Sequence, residues 1–466
     1  MATTSEREHA GTFVTVPGDR TSEVPRTLAE PVPQALSWLD QIGLWGNLGV
    51  SLLGFTGAIF VLAPGGTGTP LLSLAAGLTA TVVGTLLGML PVALSALPGT
   101  RTGAPAMVLL RGLFGARLSY LPTVLNILQC LGWGIFELVT IATAAHTVAP
   151  ALPRWAYVII AGAATGALTI RPLGAIRVLR KYVTAAVLIV LVYLFVSLLL
   201  HPLPGFTHGT WSGFWPATDT VVAVAISWAP LAADYTRHSR SGRATVAGTM
   251  VGYSVTQILC YVIGMLAILT VARNPDNIFG AFIALPAGSI GFAILALREL
   301  DQSFANVYST AASTQNLRPL WDRRVLAIAI AAATTVAALV LNIADYENFL
   351  TLLGSVFVPM SAVLVVDFFL LSRGRWDLSE RAPSRWLMLA PWAAGFVTYQ
   401  LINPGYISWW VSAWTWVAHR IGFTPAGWMS ASILSFLVAA VVTLLAGGAA
   451  ALARRRGAAP ADAASA

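Results

Sequence analysis

Apolar stretches long enough to cross a hydrocarbon layer recur along the whole chain, and no other feature restricts its fold so strongly. A helix rising about 1.5 Å per residue needs roughly 20 residues to cross a core of about 30 Å. Twelve such stretches are present, over 44–63, 71–94, 120–148, 155–172, 182–200, 215–233, 245–271, 286–311, 325–342, 348–371, 386–402 and 426–450. Composition agrees. Of 466 residues, 57% are hydrophobic and 10% charged, too few polar side chains to cover a water-soluble body of this size. The expectation is an all-α integral membrane protein whose main surroundings are a lipid bilayer. The stretch 406–421, with Trp409, Trp410, Trp414, Trp416, His419 and Arg420, reads as an aromatic interfacial segment.

The net charge of +8 is not a nucleic-acid patch, because the basic residues mark one side of a membrane. With the N-terminus inside, 23 of the 27 fall in cytoplasmic segments, among them Arg101, Arg111, Arg177, Lys181, Arg237, Arg323, Arg385 and Arg454. Only Arg154, Arg273 and Arg420 lie outside, and Arg298 lies within a span. The chain is therefore expected in the cell (inner or plasma) membrane, with both termini cytoplasmic, and as a monomer. Residues 1–37 hold no apolar run, so no cleavable signal is expected and a disordered tail is. Residues 453–466 form a second cytoplasmic tail. Cys130 and Cys260 lie inside spans, where a thiol acts as a small apolar group, so neither a disulfide nor a metal site is expected. No phosphate loop, metal-ligand spacing or nucleophile motif is visible. An enzyme is not expected, nor any cofactor beyond a coupling ion, H+ or Na+.

A helix in lipid must satisfy its own backbone, so a break at mid-membrane depth marks a cavity or packed protein. Span 1 holds Gly43, Gly46, Asn47, Gly49, Gly54 and Gly57, with Asn47 able to bond a freed backbone group. Close packing through small residues explains the same glycines equally well. In span 6, Ser227-Trp228-Ala229-Pro230 predicts a kink, because Pro230 frees the Ile226 carbonyl. Breaks in spans 1 and 6, five apart, suit two inverted five-helix repeats meeting at a midplane site, 38–202 and 203–374, followed by 375–452 with spans 11 and 12.

Span 8 carries Arg298, Glu299, Asp301, Gln302 and Asn306. A charge there facing lipid costs about 2.5–3.5 kcal/mol on insertion scales, so these side chains are expected to face inward. Glu299, Gln302 and Asn306 share one helical face, and Arg298 and Asp301 are spaced for an ion pair. Locking of helices together is the plainer role; a substrate or ion pathway is the favoured one. In span 3, Trp133 and Glu137 lie one turn apart, so a ring stacked on the indole would offer an amidine-like edge to the carboxylate. Plain packing remains the alternative for Trp133 and for Trp228.

With Trp45-Gly46-Asn47, Thr102-Gly103-Ala104-Pro105, Arg111-Gly112-Leu113-Phe114-Gly115, Leu131-Gly132-Trp133, Ile226-Ser227-Trp228, Ala233-Asp234-Tyr235-Thr236-Arg237 and Ala305-Asn306-Val307-Tyr308-Ser309, the chain resembles the nucleobase–cation symporter family, the purine–cytosine permeases and their hydantoin and allantoin relatives. The resemblance implies a LeuT-like fold of two inverted repeats with broken helices 1 and 6, and a ring held between aromatic groups of helices 3 and 6. Trp133 matches the family's stacking tryptophan, Glu137 a nearby polar position, Ser227 a hydrogen-bonding serine, and Gln302 to Asn306 the region supplying an amide. Ala225 falls where cytosine-type members carry the helix-6 aromatic, so either Trp228 stacks instead or the pocket suits a larger ring. Sodium-coupled relatives place hydroxyl groups on helix 8 just before that amide, and 293–297 has none. The corresponding expectation is that Arg298 partly replaces the ion, and that protonation of Glu137, Glu299 or Asp301 couples transport.

The expected substrate-binding set is thus Asn47, Trp133, Glu137, Ser227, Trp228, Gln302 and Asn306, and the ion-coupling set Arg298, Glu299 and Asp301. The expected function is secondary active import of a purine, cytosine, allantoin or hydantoin, or hydroxymethylpyrimidine-like ring by alternating access. The alternative is an amino-acid or organic-cation carrier of the same fold, its ammonium group on the carboxylate. A sensor would lack an output domain.

Overall fold

The structure, a computed structural model, describes residues 13–19, 21–64, 71–178, 182–272, 278–340 and 346–457. Residues 1–12, Arg20 and 458–466 of the expected tails, and Arg180, Lys181 and Arg273 of the charge pattern, lie outside the described residues.

Among the described residues, six helices are long and apolar enough to cross a membrane: Leu74–Thr102, Tyr120–Val148, Gly242–Thr270, Arg323–Val340, Glu347–Leu371 and Ala431–Ala449. The pair Trp38–Gly49 and Leu52–Leu62, bent by 56°, forms a further span. Four shorter apolar helices, Arg154–Ile170, Thr184–Leu199, Phe214–Ile226 and Trp386–Ile402, fill the remaining expected positions except the eighth. There, Gly288–Arg298 continues into Leu300–Leu317. Among the described residues, helices therefore stand at all twelve positions where the apolar stretches placed them, and apolar side chains such as Ile189, Val192, Val325 and Val336 are exposed on the outside. The helix Ser408–Arg420 buries only Ala418 and leaves Trp409 and Trp416 exposed, as suits an interfacial segment.

The spans pack in a pattern that maps onto itself when each is exchanged for the one five places along. Span 1 packs on span 7 as span 6 packs on span 2; spans 3 and 8 pair, as do 4 and 9; span 5 meets 7 as span 10 meets 2. Spans 11 and 12 pack on span 10, outside this scheme. Two five-span repeats thus share one core. The small residues of span 1 serve close packing: a Cβ on Gly252 of span 7 would lie 2.8 Å from the Ile42 carbonyl and 3.0 Å from the Gly46 amide.

The described part of residues 1–37 corrects the expectation of a disordered tail. Thr15–Pro17 (β1) and Val32–Gln34 (β2) pair in parallel, and the segment lies across the arginine-rich end of the bundle. Leu36 exchanges backbone bonds with His238 and Arg240, and Gln34 Nε2 donates to the Thr100 carbonyl at 3.2 Å. Glu23 accepts from the Leu173 and Gly174 amides at 2.7 and 3.1 Å, and Arg177 donates to the Asp19 and Ser22 carbonyls. Gln315 and the Arg323 amide both donate to the Arg26 carbonyl. Low local hydrophobicity misled here because these bonds run to loops about 70 to 300 positions away.

Some cytoplasm-marking arginines are interior pins. Arg323 donates to the Thr169 and Ile170 carbonyls that end span 4, and Arg111 to the carbonyl and side chain of Asn316 near the end of span 8. Each meets the negative end of a helix. His238 Nδ1 donates to the Pro33 carbonyl at 2.9 Å while Nε2 accepts from Arg237, so the ring is neutral. Burial first, and Arg237 next, hold its imidazole well below the ordinary value of 6.5. A freed imidazole takes a proton near that value and the docked one does not, so docking weakens as pH falls through it. Limited proteolysis within residues 18–33 is therefore expected to be slow at pH 7.5 and several-fold faster at pH 5. Equal rates at both pH values would exclude this role for His238.

Candidate functional site

The first helix of span 1 ends at Gly49, Val50 and Ser51 run extended, and Leu52 starts a new helix capped by the Ser51 hydroxyl. Several backbone groups lose their helical partners at such a break, and span 8 supplies replacements. Gln302 Nε2 donates to the Leu48 and Val50 carbonyls, both at 2.7 Å. The Arg298 guanidinium donates to the Asn47 carbonyl. Glu299 Oε1 accepts from the Ser51 hydroxyl at 2.9 Å and the Leu52 amide at 3.1 Å. Carboxylate meets the positive start of one half-helix, and guanidinium and amide meet the negative end of the other.

Arg298 also pairs with Glu299 at 3.0 Å and with Asp301 at 3.3 Å, as its spacing predicted for Asp301. All three are at most 1% exposed. Asp301 makes no further hydrogen bond among the described residues.

Span 6 breaks after Ile226 and resumes at Ala232–Thr236. The carbonyl that Pro230 frees is recovered, because the Ala229 amide donates to Ile226 at 2.8 Å in a tighter turn. Gln129 of span 3 donates to the Ser227 carbonyl at 2.8 Å.

Between the two breaks lies a chamber lined by spans 1, 3, 6, 7 and 8. Span 1 contributes Gly49, Ser51, Leu53 and Gly54; span 3, Trp133 and Glu137; span 6, Val224, Ser227, Trp228 and Leu231; span 8, Gln302 and Asn306. Trp133 packs edge-on to Phe349 at 5.3 Å, and Trp228 donates from Nε1 to the Tyr253 hydroxyl at 2.9 Å. Glu137 Oε2 is buried with no hydrogen-bond partner among the described residues. Its carboxyl lies within electrostatic reach of Arg298, Glu299 and Asp301.

Six of the seven expected substrate residues thus meet at one chamber. Asn47 does not: its side chain donates to Thr184 of span 5 at 3.0 Å, and the break falls beyond it. Arg298, Glu299 and Asp301 lie behind the chamber wall rather than in it. Ser227 lines the space, yet its hydroxyl donates to Val224 of its own helix at 2.7 Å. Ala225 faces Gly88 of span 2, leaving Trp228 as the span 6 aromatic at the chamber. Span 7 was missed. Tyr253, Gln257, Cys260 and Tyr261 all line the chamber, and Tyr253, Gln257 and Tyr261 recur every fourth residue, a one-face stripe legible in the sequence.

The comparisons agree with this architecture. A family model described as permease for cytosine/purines, uracil, thiamine, allantoin matches residues 42–385, so the chain belongs to that family of membrane permeases, the nucleobase–cation symporters. It is 24% identical over 397 residues to the purine-uracil permease NCS1 of Arabidopsis thaliana, covering 75% of this chain and 64% of that one. It is 28% identical over 258 residues to the purine-cytosine permease FCY21 of Saccharomyces cerevisiae, covering 49% and 48%. The match therefore spans less than two thirds of either relative. Among solved structures, the nucleobase-cation-symport-1 family transporter Mhp1, closed with bromovinylhydantoin bound, superposes with a TM-score of 0.70 at 18% identity, covering 93% of this chain and 96% of that one. A Na+-coupled sialic acid symporter superposes with a TM-score of 0.54 at 13% identity, covering 88% of each chain. The fold is LeuT-like, two inverted five-helix repeats with spans 1 and 6 broken.

Replacing Arg298 by Met removes the one cation that the described residues place among the three buried carboxyl groups of Glu137, Glu299 and Asp301, and is expected to cost about 3–5 kcal/mol. The melting temperature in detergent should fall, and adding Asp301→Asn should recover part of the loss. A single variant as stable as the parent would contradict the arrangement.

Proposed function

We propose that the chain is a secondary active importer of a planar nitrogen heterocycle, a nucleobase or a related ring. The solute occupies the chamber between the two helix breaks and is exposed to each side of the membrane in turn. The observation that carries this reading is the buried Glu137 carboxyl: it lines a cavity flanked by two indoles, stands beside the Glu299 carboxyl, and leaves Oε2 without a hydrogen bond to any described residue. A buried acceptor without a donor is costly, and a ring N–H edge supplies that donor while Trp133 or Trp228 meets the ring face. The relatives' names, purine-uracil and purine-cytosine permease, support the same class. Both termini lie in the cytoplasm of a cell whose inner or plasma membrane the chain crosses as a monomer, so uptake runs toward the arginine-rich face.

The coupling ion in this reading is the proton. Unwound carbonyls at half-helix C-termini hold sodium or protons in broken-helix transporters. Here the carbonyls of Asn47, Leu48 and Val50 already take donors from Arg298 and Gln302. One guanidinium stands against the carboxyls of Glu137, Glu299 and Asp301, so a proton is needed to lower the buried charge.

Purified protein should gain thermal stability with at least one ring from a panel of cytosine, uracil, adenine, guanine, allantoin and hydroxymethylpyrimidine, because a ligand bound only by the folded state raises its melting point. In proteoliposomes an inward proton gradient should drive uptake of that ring without sodium. Glu137→Gln should weaken its binding by about tenfold or more. No response to any ring would sink the importer reading, and strict sodium dependence would sink proton coupling alone.

A further inference from the structure

Span 7 gives the chamber a wall that the reading above leaves unused. Tyr253, Gln257 and Tyr261 stand on one face of the helix Gly242–Thr270, are 3%, 2% and 0% exposed, and all border the cavity. Tyr253 is occupied, since its hydroxyl accepts from Trp228. The other two are not. Gln257 Nε2 donates to Thr85 Oγ1 of span 2 at 2.9 Å, which fixes the amide and leaves Oε1 with no partner among the described residues. The Tyr261 hydroxyl likewise has none. Span 1 presents glycine opposite it: a Cβ at Gly57 would stand 3.3 Å from that hydroxyl.

Two buried polar groups held on one helix face beside a cavity, each short of a partner, weaken the empty protein. They are explained if the solute completes them. Glu137 belongs to span 3, whereas span 7 packs on spans 1, 2 and 5, so the two sets of polar atoms sit on different walls. We propose that Gln257 and Tyr261 form a second recognition edge, selecting heterocycles that carry N–H donors on two edges, one for Glu137 and one for the Gln257 carbonyl. The Tyr261 hydroxyl, able to donate or accept, takes the group beside the second donor. This rests on the importer reading and narrows it from planar rings in general to two-edged donors such as aminopurines and ureide rings.

The experiment measures dissociation constants for the six-ring panel above on purified parent protein, Gln257→Leu and Tyr261→Phe, with the melting temperature of each empty protein. The ring that binds the parent most tightly should lose about tenfold or more in affinity in each variant. Empty Tyr261→Phe should melt at the same temperature or higher, since it removes only an unpartnered buried group, whereas empty Gln257→Leu, which also breaks the bond to Thr85, should melt somewhat lower. On the parent protein, where folding is not at issue, N-methylation of the ring's second N–H edge should weaken binding by a similar factor. Affinities within about threefold of the parent in both variants, or indifference to N-methylation, would overturn the proposal. Lower melting with unchanged affinity would assign the stripe a structural role instead. If no ring binds the parent at all, the importer reading fails and takes this one with it, whereas the other failures leave that reading standing.

Discussion

A helix cannot be interrupted inside a bilayer without a partner for every backbone group it exposes. Span 1 is interrupted at Val50 and Ser51, and span 8 supplies those partners from a single turn and a half of helix. Gln302 and Arg298 cover the carbonyl end, and Glu299 covers the amide end. The remaining features of the site follow. The break opens the space that becomes the chamber, and the need for opposite charges at its two ends places Arg298 and Glu299 side by side in the interior. A lone buried cation and anion pair is a poor source of stability, but one tied to helix termini on both sides is fully used.

The same arrangement separates two roles that share one helix. Arg298 and Glu299 bond the backbone of span 1, Gln302 bonds it and also lines the chamber, and Asn306 lines the chamber. Span 8 is therefore both the splint of a broken helix and a wall of the cavity. A change in charge at Glu137, within electrostatic reach of this cluster, acts on the joint that holds the two halves of span 1. In the proposed importer, ligand and ion would therefore share one mechanical target, with no long pathway between them.

Architecture was legible in the sequence because crossing a bilayer is a demand on local composition. Tyr120–Val148 lies over the apolar stretch 120–148, and the proline in span 6 marked a break that the chain makes. Where local reading failed, the deciding contact was distant in sequence. Asn47 drew attention as the polar residue of a glycine-rich helix, yet the break falls three positions later, where span 8 fixes it from about 250 residues away. Gln257 and Tyr261 were passed over because one amide and one phenol in an apolar helix look ordinary until their fourfold spacing meets the cavity. Ala225 seemed a missing aromatic only because its direction, toward Gly88, is set by a neighbouring helix.

The segment from Thr15 to Leu36 joins the ends of spans 2 and 6 to those of spans 4 and 8 by bonds to Thr100, His238, Leu173 and the Arg26–Gln315 contact. In the proposed import cycle, a passage opening on the arginine-rich face would part these same ends, so the belt would have to unbuckle first. Whatever is grafted ahead of Phe13, whether a purification handle or a fluorescent reporter, would then hang from the part that the proposed cycle has to unfasten.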